Sequence, residues 1–251
     1  MLSDEELDRY ARQIVLKEIG GAGQARLKEA TVAVIGAGGI GSPVLQYLAS
    51  AGIGRLVVID DDRVELSNLQ RQTIFTDAEQ GQSKAVQAGH AARRLNPLIR
   101  VQPHVVRLDA GNADAILAGA DVVVDGTDNF ATRLAAADAA LALRIPLVSA
   151  AVGQFEGQLA VYRGWEAGRP CYRCFVGNAA DRAEANCAEG GVLGPVTGML
   201  GSLAALEAIR AIVPFGDDPA GRLLLIDLLG WRFRSLSLPQ DPGCSACGSG
   251  A

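Results

Sequence analysis

The chain has 251 residues, 49% of them apolar and with no low-complexity run, so it can bury a substantial core and is expected to fold throughout. A formal net charge of -5 argues against nucleic acid as the main partner, and no apolar run reaches the ~20 residues of a membrane-crossing helix. The acidic start, Met1-Leu2-Ser3-Asp4-Glu5-Glu6, is unlike a secretory leader.

Ser3, with Glu6 three residues on, predicts a capped helix to about Leu16, with Leu7, Tyr10 and Ile14 on its apolar face and Arg9 and Arg12 at its edges. Gly20-Gly21 is expected to break that helix, leaving a short segment to Glu29 before the first strand. Thr31-Val32-Ala33-Val34-Ile35 then reads as a buried strand, followed by a turn carrying Gly36, Gly38, Gly39 and Gly41. A crossover helix over Ile40–Ala51, with Val44, Leu45 and Leu48 inward, leads to the apolar run Leu56-Val57-Val58-Ile59 and the acids Asp60-Asp61-Asp62. Strand, glycine turn, helix and strand ending on acid form a mononucleotide-binding βαβ unit, in which backbone amides approach phosphate and an acid accepts from a ribose hydroxyl. Asp60, 19 residues beyond Gly41, is the ribose candidate, Asp61 a turn or capping residue, and Asp62 a secondary contact to nucleotide or metal.

Cations follow. Asn68-Leu69-Gln70-Arg71-Gln72 supplies Arg71, and Gly81-Gln82-Ser83-Lys84 places Lys84 in the first turn of a helix predicted over Ser83–Leu95. A lysine is unfavourable at that end of a helix unless an anion is near, which is a physical reason to expect phosphate there. Arg100–Val106 is a strand that Pro103 confines to an edge or bulge, and Asp121–Asp125 is a buried strand. Asp128 and Asn129 lie in the loop before a helix over Phe130–Leu143; Asn129 is expected to cap it and Asp128 to face magnesium. Pro146–Ala150 is the next strand. A triphosphate needs several cationic side chains and a carboxylate-held metal, so this inventory suits ATP better than NAD.

Beyond Ala150 the pattern changes. Gln158–Tyr162, Leu223–Asp227 and Arg232–Leu238 read as strands, the last two antiparallel about Gly230, with a long small-residue helix over Gly194–Val213 before them. The expected fold is α/β: a Rossmann-like parallel sheet continued into a mixed sheet with antiparallel C-terminal strands, helices on both faces. It is read as one domain over 1–251, with a helical segment at 1–30, a nucleotide-binding half at 31–150 and a mixed-sheet, zinc-binding half at 151–251. His90 and His104 are given no role. Five cysteines, four of them in two Cys-x-x-Cys pairs, favour metal binding in a reducing cytoplasm over a disulfide framework. Cys171, Cys174, Cys244 and Cys247 can supply four thiolates to one structural zinc; a redox pair is the alternative, but neither lies in a thioredoxin-like strand-to-helix context. Cys187, in a polar glycine-flanked segment, is a candidate reactive thiol, with an inert packing role as the alternative.

The order of Arg9-Tyr10-Ala11-Arg12-Gln13, Gly-x-Gly-Gly-x-Gly, Asn-Leu-x-Arg-Gln, Gly-x-x-Lys-Ala and Asp125-Gly126-Thr127-Asp128-Asn129 resembles the MoeB/ThiF family, bacterial relatives of the ubiquitin-activating enzymes, from about Leu7 to Cys247. The resemblance implies an adenylyltransferase that uses ATP and magnesium to activate the C-terminal glycine of a small ubiquitin-like sulfur carrier ending in Gly-Gly, for molybdopterin or thiamine synthesis. It also implies a homodimer, in which the arginine matching Arg12 reaches the partner's nucleotide, and assigns a carrier-bound sulfur step in the thiamine branch to the cysteine matching Cys187. Arg12, Arg71, Lys84 and Asp128 are then the catalytic set, with Asn68 and Gln72 expected as neutral donors to phosphate. Sulfur is expected from a separate donor protein, since little chain follows Cys247. An NAD(P)-dependent oxidoreductase and a catalytically silent scaffold are the other readings of the same sequence.

Overall fold

Val32 to Ile35 and Leu56 to Ile59 are buried on both faces, the condition of central strands in a parallel sheet. The computed structural model describes residues 1–177 and 191–248. In chain order the elements are α1 (Asp4–Arg9), α2 (Ala11–Ile14), α3 (Gly20–Glu29), β1 (Thr31–Ile35), α4 (Gly41–Ala51), β2 (Arg55–Ile59), α5 (Lys84–Leu95) and β3 (Arg100–His104). They continue through α6 (Ala113–Leu117), β4 (Val122–Asp125), α7 (Phe130–Ala142), β5 (Leu147–Gly153), β6 (Glu156–Tyr162), α8 (Tyr172–Val176), α9 (Gly194–Ile212), β7 (Arg222–Asp227) and β8 (Arg232–Ser237).

Among the described residues the strands form one eight-stranded sheet in the order β3-β2-β1-β4-β5-β6-β7-β8. The first five are parallel and the last three antiparallel. The expected mixed α/β sheet is therefore present, with Pro103 on the edge strand β3, where its missing N–H costs least. Strand order reverses between β1 and β4, and this switch point opens the crevice in which such sheets hold ligands. Val32, Val34, Val58 and Val124 face one apolar layer with α4, α5 and α9, and Ala33, Ile35, Val57 and Val123 face another with α6, α7 and α8.

Three local expectations are revised. The helix predicted to Leu16 is two short helices, parted at Tyr10 (φ -101°, ψ 11°). Tyr10 leaves the helix because its ring is drawn into the core over Gly52, and its hydroxyl accepts from Asn96 Nδ2 at 2.8 Å. Leu7 is left exposed. Second, Gly20-Gly21 starts α3 instead of leading into an irregular segment: Gly20 takes φ +60°, redirecting the chain, and Leu27 then anchors α3 in the core. Third, the 19-residue α9 is, by length and composition, apolar enough to cross a membrane. Here it packs against α4 and strands β4 to β6, with Leu200, Ala204 and Ala208 fully buried.

Candidate nucleotide and metal sites

The turn after β1 is built by glycines with different duties. Gly36 adopts φ +84°, and its amide donates to the Ile59 carbonyl at 2.8 Å. A Cβ at Gly41 would sit 1.9 Å from the Gly36 carbonyl oxygen, and one at Gly39 would press to 3.0 Å on Thr197 of α9. Gly38 differs. Its φ lies outside the left-handed region, and the nearest atom to a Cβ there is Gln72 Nε2 at 3.7 Å. Neither backbone nor packing demands glycine at 38, so the space left open is of the kind a bound phosphate occupies.

Asp60 closes this turn from β2: its Oδ2 accepts from the Ala37 amide at 2.7 Å and its Oδ1 from the Asp62 amide at 2.8 Å. Burial pushes the Asp60 carboxyl up, and the Ala37 amide and the Lys84 charge only partly offset it. Segments 62–64 and 81–84 are zipped together, Lys84 N donating to Asp62 O at 2.9 Å and Val64 N to Gln82 O at 2.8 Å. That pairing brings the buried Lys84 beside the turn, where its Nζ lies 2.7 Å from Asp62 Oδ2. Asp62, expected as a contact to nucleotide or metal, thus holds the lysine.

Asn68 Nδ2 donates to Glu65 Oε2 and Ser67 Oγ, and Gln72 Nε2 donates to Asn68 Oδ1 at 2.6 Å; this bond uses one N–H of Gln72 Nε2, the atom nearest the space at Gly38, and leaves the other for a ligand. Arg71, half-buried, donates to the Ser67 carbonyl and has no carboxylate partner among the described residues.

On the other wall of the crevice, Asn129 caps α7 as expected, its side chain accepting from Thr132 N at 2.9 Å. Asp128 is exposed, with no hydrogen bond or ion pair among the described residues, which suits a carboxylate kept for a cation. Its loop is held from below by a buried network absent from the sequence reading. Arg133 Nη1 donates to Asp125 Oδ2 at 3.1 Å and to Ser149 Oγ, while Nη2 donates to the Thr127 and Ala150 carbonyls. Asp125 Oδ1 in turn accepts from the Thr127 amide and hydroxyl. A lone arginine in the alanine-rich stretch 131–142 was the available signal.

Arg12 is not brought to this site. It is exposed on α2, which Gln13 ties to the Ala51 carbonyl at the far end of α4. The 11 residues of α4 put that anchor about 16 Å from the glycine turn, farther than the side chain reaches. Cys187 lies outside the described residues.

The four remaining cysteines do converge. Sγ separations are 3.8 Å for Cys171–Cys174, 3.6 Å for Cys171–Cys244 and 3.4 Å for Cys174–Cys247, and all four lie within 4.8 Å of one another. Tetrahedral zinc with Zn–S bonds of about 2.3 Å has sulfur–sulfur edges of about 3.8 Å, so the donor set fits. Burial pushes the Cys171 and Cys174 thiols up, whereas at Cys244 burial is outweighed by the Ala246 and Cys247 amides, which hold that thiol below its usual range. Arg173, between the first two cysteines, forms a two-pronged pair with Asp138 of α7, each contact 2.7 Å.

An open sheet with a glycine-lined turn and gathered cations at its switch point defines a mononucleotide-binding α/β protein. A family model described as "ThiF family" matches residues 10–246, and the chain belongs to that family. It is 48% identical to the "Sulfur carrier protein adenylyltransferase" of Thermus thermophilus, over 97% of this chain and 92% of that one. It is 42% identical to the "Molybdopterin-synthase adenylyltransferase" of Escherichia coli, over 98% of each. In fold it is similar to E. coli MccB, solved with MccA-N7isoASN, at TM-score 0.83 and 24% identity, covering 96% of this chain and 75% of that one.

Proposed function

We propose that this chain, acting as one unit over 1–251, uses ATP to adenylylate the C-terminal glycine of a small ubiquitin-like sulfur-carrier protein in the cytoplasm. The observation that carries the reading is the crevice between β1 and β4. Its glycine turn leaves space at Gly38, Lys84 and Arg71 bring positive charge, and the unpaired Asp128 stands on the opposite wall. A terminal carboxylate is already ionised at neutral pH, so attack on the α-phosphorus needs no general base. One carboxylate oxygen forms the new P–O bond while the bond to the bridging oxygen breaks and pyrophosphate leaves.

The obstacle is bringing an anion to a polyanion. Arg71 and Lys84 relieve it by holding phosphate oxygens, Asp60 orients the ribose and the Gly36–Gly41 turn approaches the phosphates with backbone amides. Asp128 would hold magnesium, which when bound supplies further positive charge to the phosphates. Zinc at Cys171, Cys174, Cys244 and Cys247 stabilises the fold without reacting. The carrier then passes as its acyl-adenylate to a separate sulfur donor, with Cys187 a candidate for that later step.

A surface for the carrier lies at the same end of the sheet. Gly153 at the end of β5 pairs with Glu156, Glu156 with Asp227 and Asp227 with Arg232, so the β7–β8 turn lies at the crevice end of the sheet, four residues past Ser149, the partner of Asp125 at the end of β4. Leu229, Trp231 and Phe233 there are exposed.

The test is carrier-dependent exchange of pyrophosphate into ATP. Lys84→Ala, Arg71→Ala and Asp128→Ala should each lower it by about two to three orders of magnitude while the protein stays folded. Normal exchange in all three rejects the site. Cys187→Ser should leave exchange intact and lower only thiocarboxylate formation.

A further inference from the structure

We propose that Thr127 is a positioning residue: its hydroxyl, bonded to the buried Asp125, fixes the loop from which Asp128 meets a nucleotide-bound cation. The inference deepens the adenylylation reading, on which it rests only for magnesium–ATP as the ligand.

Its basis is a contrast between neighbours. Every hydrogen-bonding atom of Thr127 is engaged. Its amide and hydroxyl donate to Asp125 Oδ1 at 3.1 and 2.9 Å, and its carbonyl accepts from Arg133 Nη2. Those partners are themselves fixed. Asp125 is 1% exposed, and its Oδ2 accepts from Arg133 Nη1 at 3.1 Å and from Ser149 Oγ at 3.3 Å. Arg133 also donates to Ser149 Oγ and to the Ala150 carbonyl. On the other side, Asn129 is locked by its cap on the Thr132 amide at 2.9 Å. Asp128, between these two, is exposed and has no side-chain partner among the described residues. The chain is therefore pinned on both sides of a carboxylate that is left to a ligand.

The same threonine meets the phosphate turn. Its Cγ2 lies 3.3 Å from where a Cβ on Gly36 would stand, and the Gly126 amide before it donates to the Ile35 carbonyl at 3.1 Å. The position of Thr127 thus sets the separation between that turn and Asp128. A buried ion pair is a costly way to hold a loop that apolar packing could hold as firmly; what it adds is a fixed orientation. A carboxylate already oriented gives up little freedom when a cation arrives.

The experiment measures ATP dissociation constants by calorimetry on the full-length, zinc-loaded protein, with and without magnesium. Thr127→Val and Thr127→Ala both lose the hydroxyl, one keeping the side-chain shape and the other adding no bulk. Each should weaken magnesium–ATP binding about tenfold and metal-free ATP binding less than about twofold. Thr127→Ser, which keeps the hydroxyl, should bind magnesium–ATP within about threefold of wild type. Beside Asp128→Ala the valine should cost nothing further, because the loop then carries no carboxylate to place. Equal losses with and without magnesium, or a loss that persists beside Asp128→Ala, overturn the inference, since a generally loosened crevice gives either result. So does wild-type affinity in Thr127→Ala, or a serine as weak as the valine. If magnesium tightens ATP binding equally in wild type and Asp128→Ala, the metal role of Asp128 falls and this inference with it. Carrier-dependent exchange by wild type is scored separately: the magnesium-specific pattern without exchange sinks the adenylylation reading alone, and exchange without the pattern sinks this inference alone.

Discussion

Gly38 and Gly41, three residues apart in one turn, should respond oppositely to the same added methyl group. Gly41→Ala sets a Cβ 1.9 Å from the Gly36 carbonyl oxygen, a clash that moving the turn alone can relieve, so a large fall in thermal stability is expected. Gly38→Ala meets nothing closer than 3.7 Å, so it should melt near wild type while binding ATP much more weakly, as calorimetric titration would show. Unchanged ATP affinity would remove phosphate from that space. Asp60 makes a pH-dependent counterpart. Burial raises its folded pKa, so as pH falls it takes up a proton above the ordinary carboxylate range. For folding alone, its contribution is therefore fully present below the unfolded pKa and is lost as pH rises through the raised one. For a ribose hydroxyl, which needs the ionised acceptor, the sign is reversed. The affinity advantage of wild type over Asp60→Asn should shrink on acidification, beginning above the usual aspartate range. An advantage that holds down to that range would place the ribose elsewhere.

At the scale of elements, α7 joins the two sites. Its N-terminus follows the Asp128 loop, Arg133 pins that loop to β4 and β5, and Asp138 holds the cysteine-bearing α8 through Arg173. Asp125 and Arg133 are both buried, so removing one partner leaves an uncompensated charge. Arg133→Met should cost about 3–5 kcal/mol in urea unfolding, with part regained in the Asp125→Asn/Arg133→Met double variant. A cost near zero would mean that water reaches the pair. The half-buried, solvent-screened Arg173–Asp138 pair should be worth about 1 kcal/mol, well below the buried one. The thiolates are different, since structural metal binding is coupled to folding. Cys174→Ser or Cys247→Ser should lose zinc and thermal stability together, read by metal analysis and melting on the same sample. Stoichiometric zinc in both variants would exclude these ligands.

For the whole molecule, the expected role of Arg12 at a nucleotide requires a second subunit, because Arg12 lies far from its own crevice. Mixing Arg12→Ala with Lys84→Ala subunits should then restore exchange in about half of the sites of mixed dimers, each of which regains one intact site of two. Verified heterodimers without recovery would take Arg12 out of the site. The β7–β8 turn gives a separate expectation: Trp231→Ala with Phe233→Ala should raise the KM for carrier and leave ATP affinity unchanged. An unaltered KM would move the carrier to another face.

Strands, crossover helices and the glycine turn were legible in the chain because their signals are local: apolar runs of strand length, Pro103 barring a central position, Asn129 capping its own helix. The cations and the Cys-x-x-Cys pairs were legible for the same reason, since residue type and spacing carry their chemistry. What sequence left open are matters of distance and of competition between partners. The break at Tyr10 follows from a ring packing on Gly52, 42 positions on, which only folding brings within reach. The same holds for Asp62, whose lysine lies 22 positions on, and for the Asp125–Arg133 pair, closed by Ser149 from the next strand. Sequence determined which groups this protein owns, because charge and hydrogen-bonding type belong to the residue; the tertiary structure alone decided which were already satisfied and which were left for a ligand, because that depends on what else is within 3 Å.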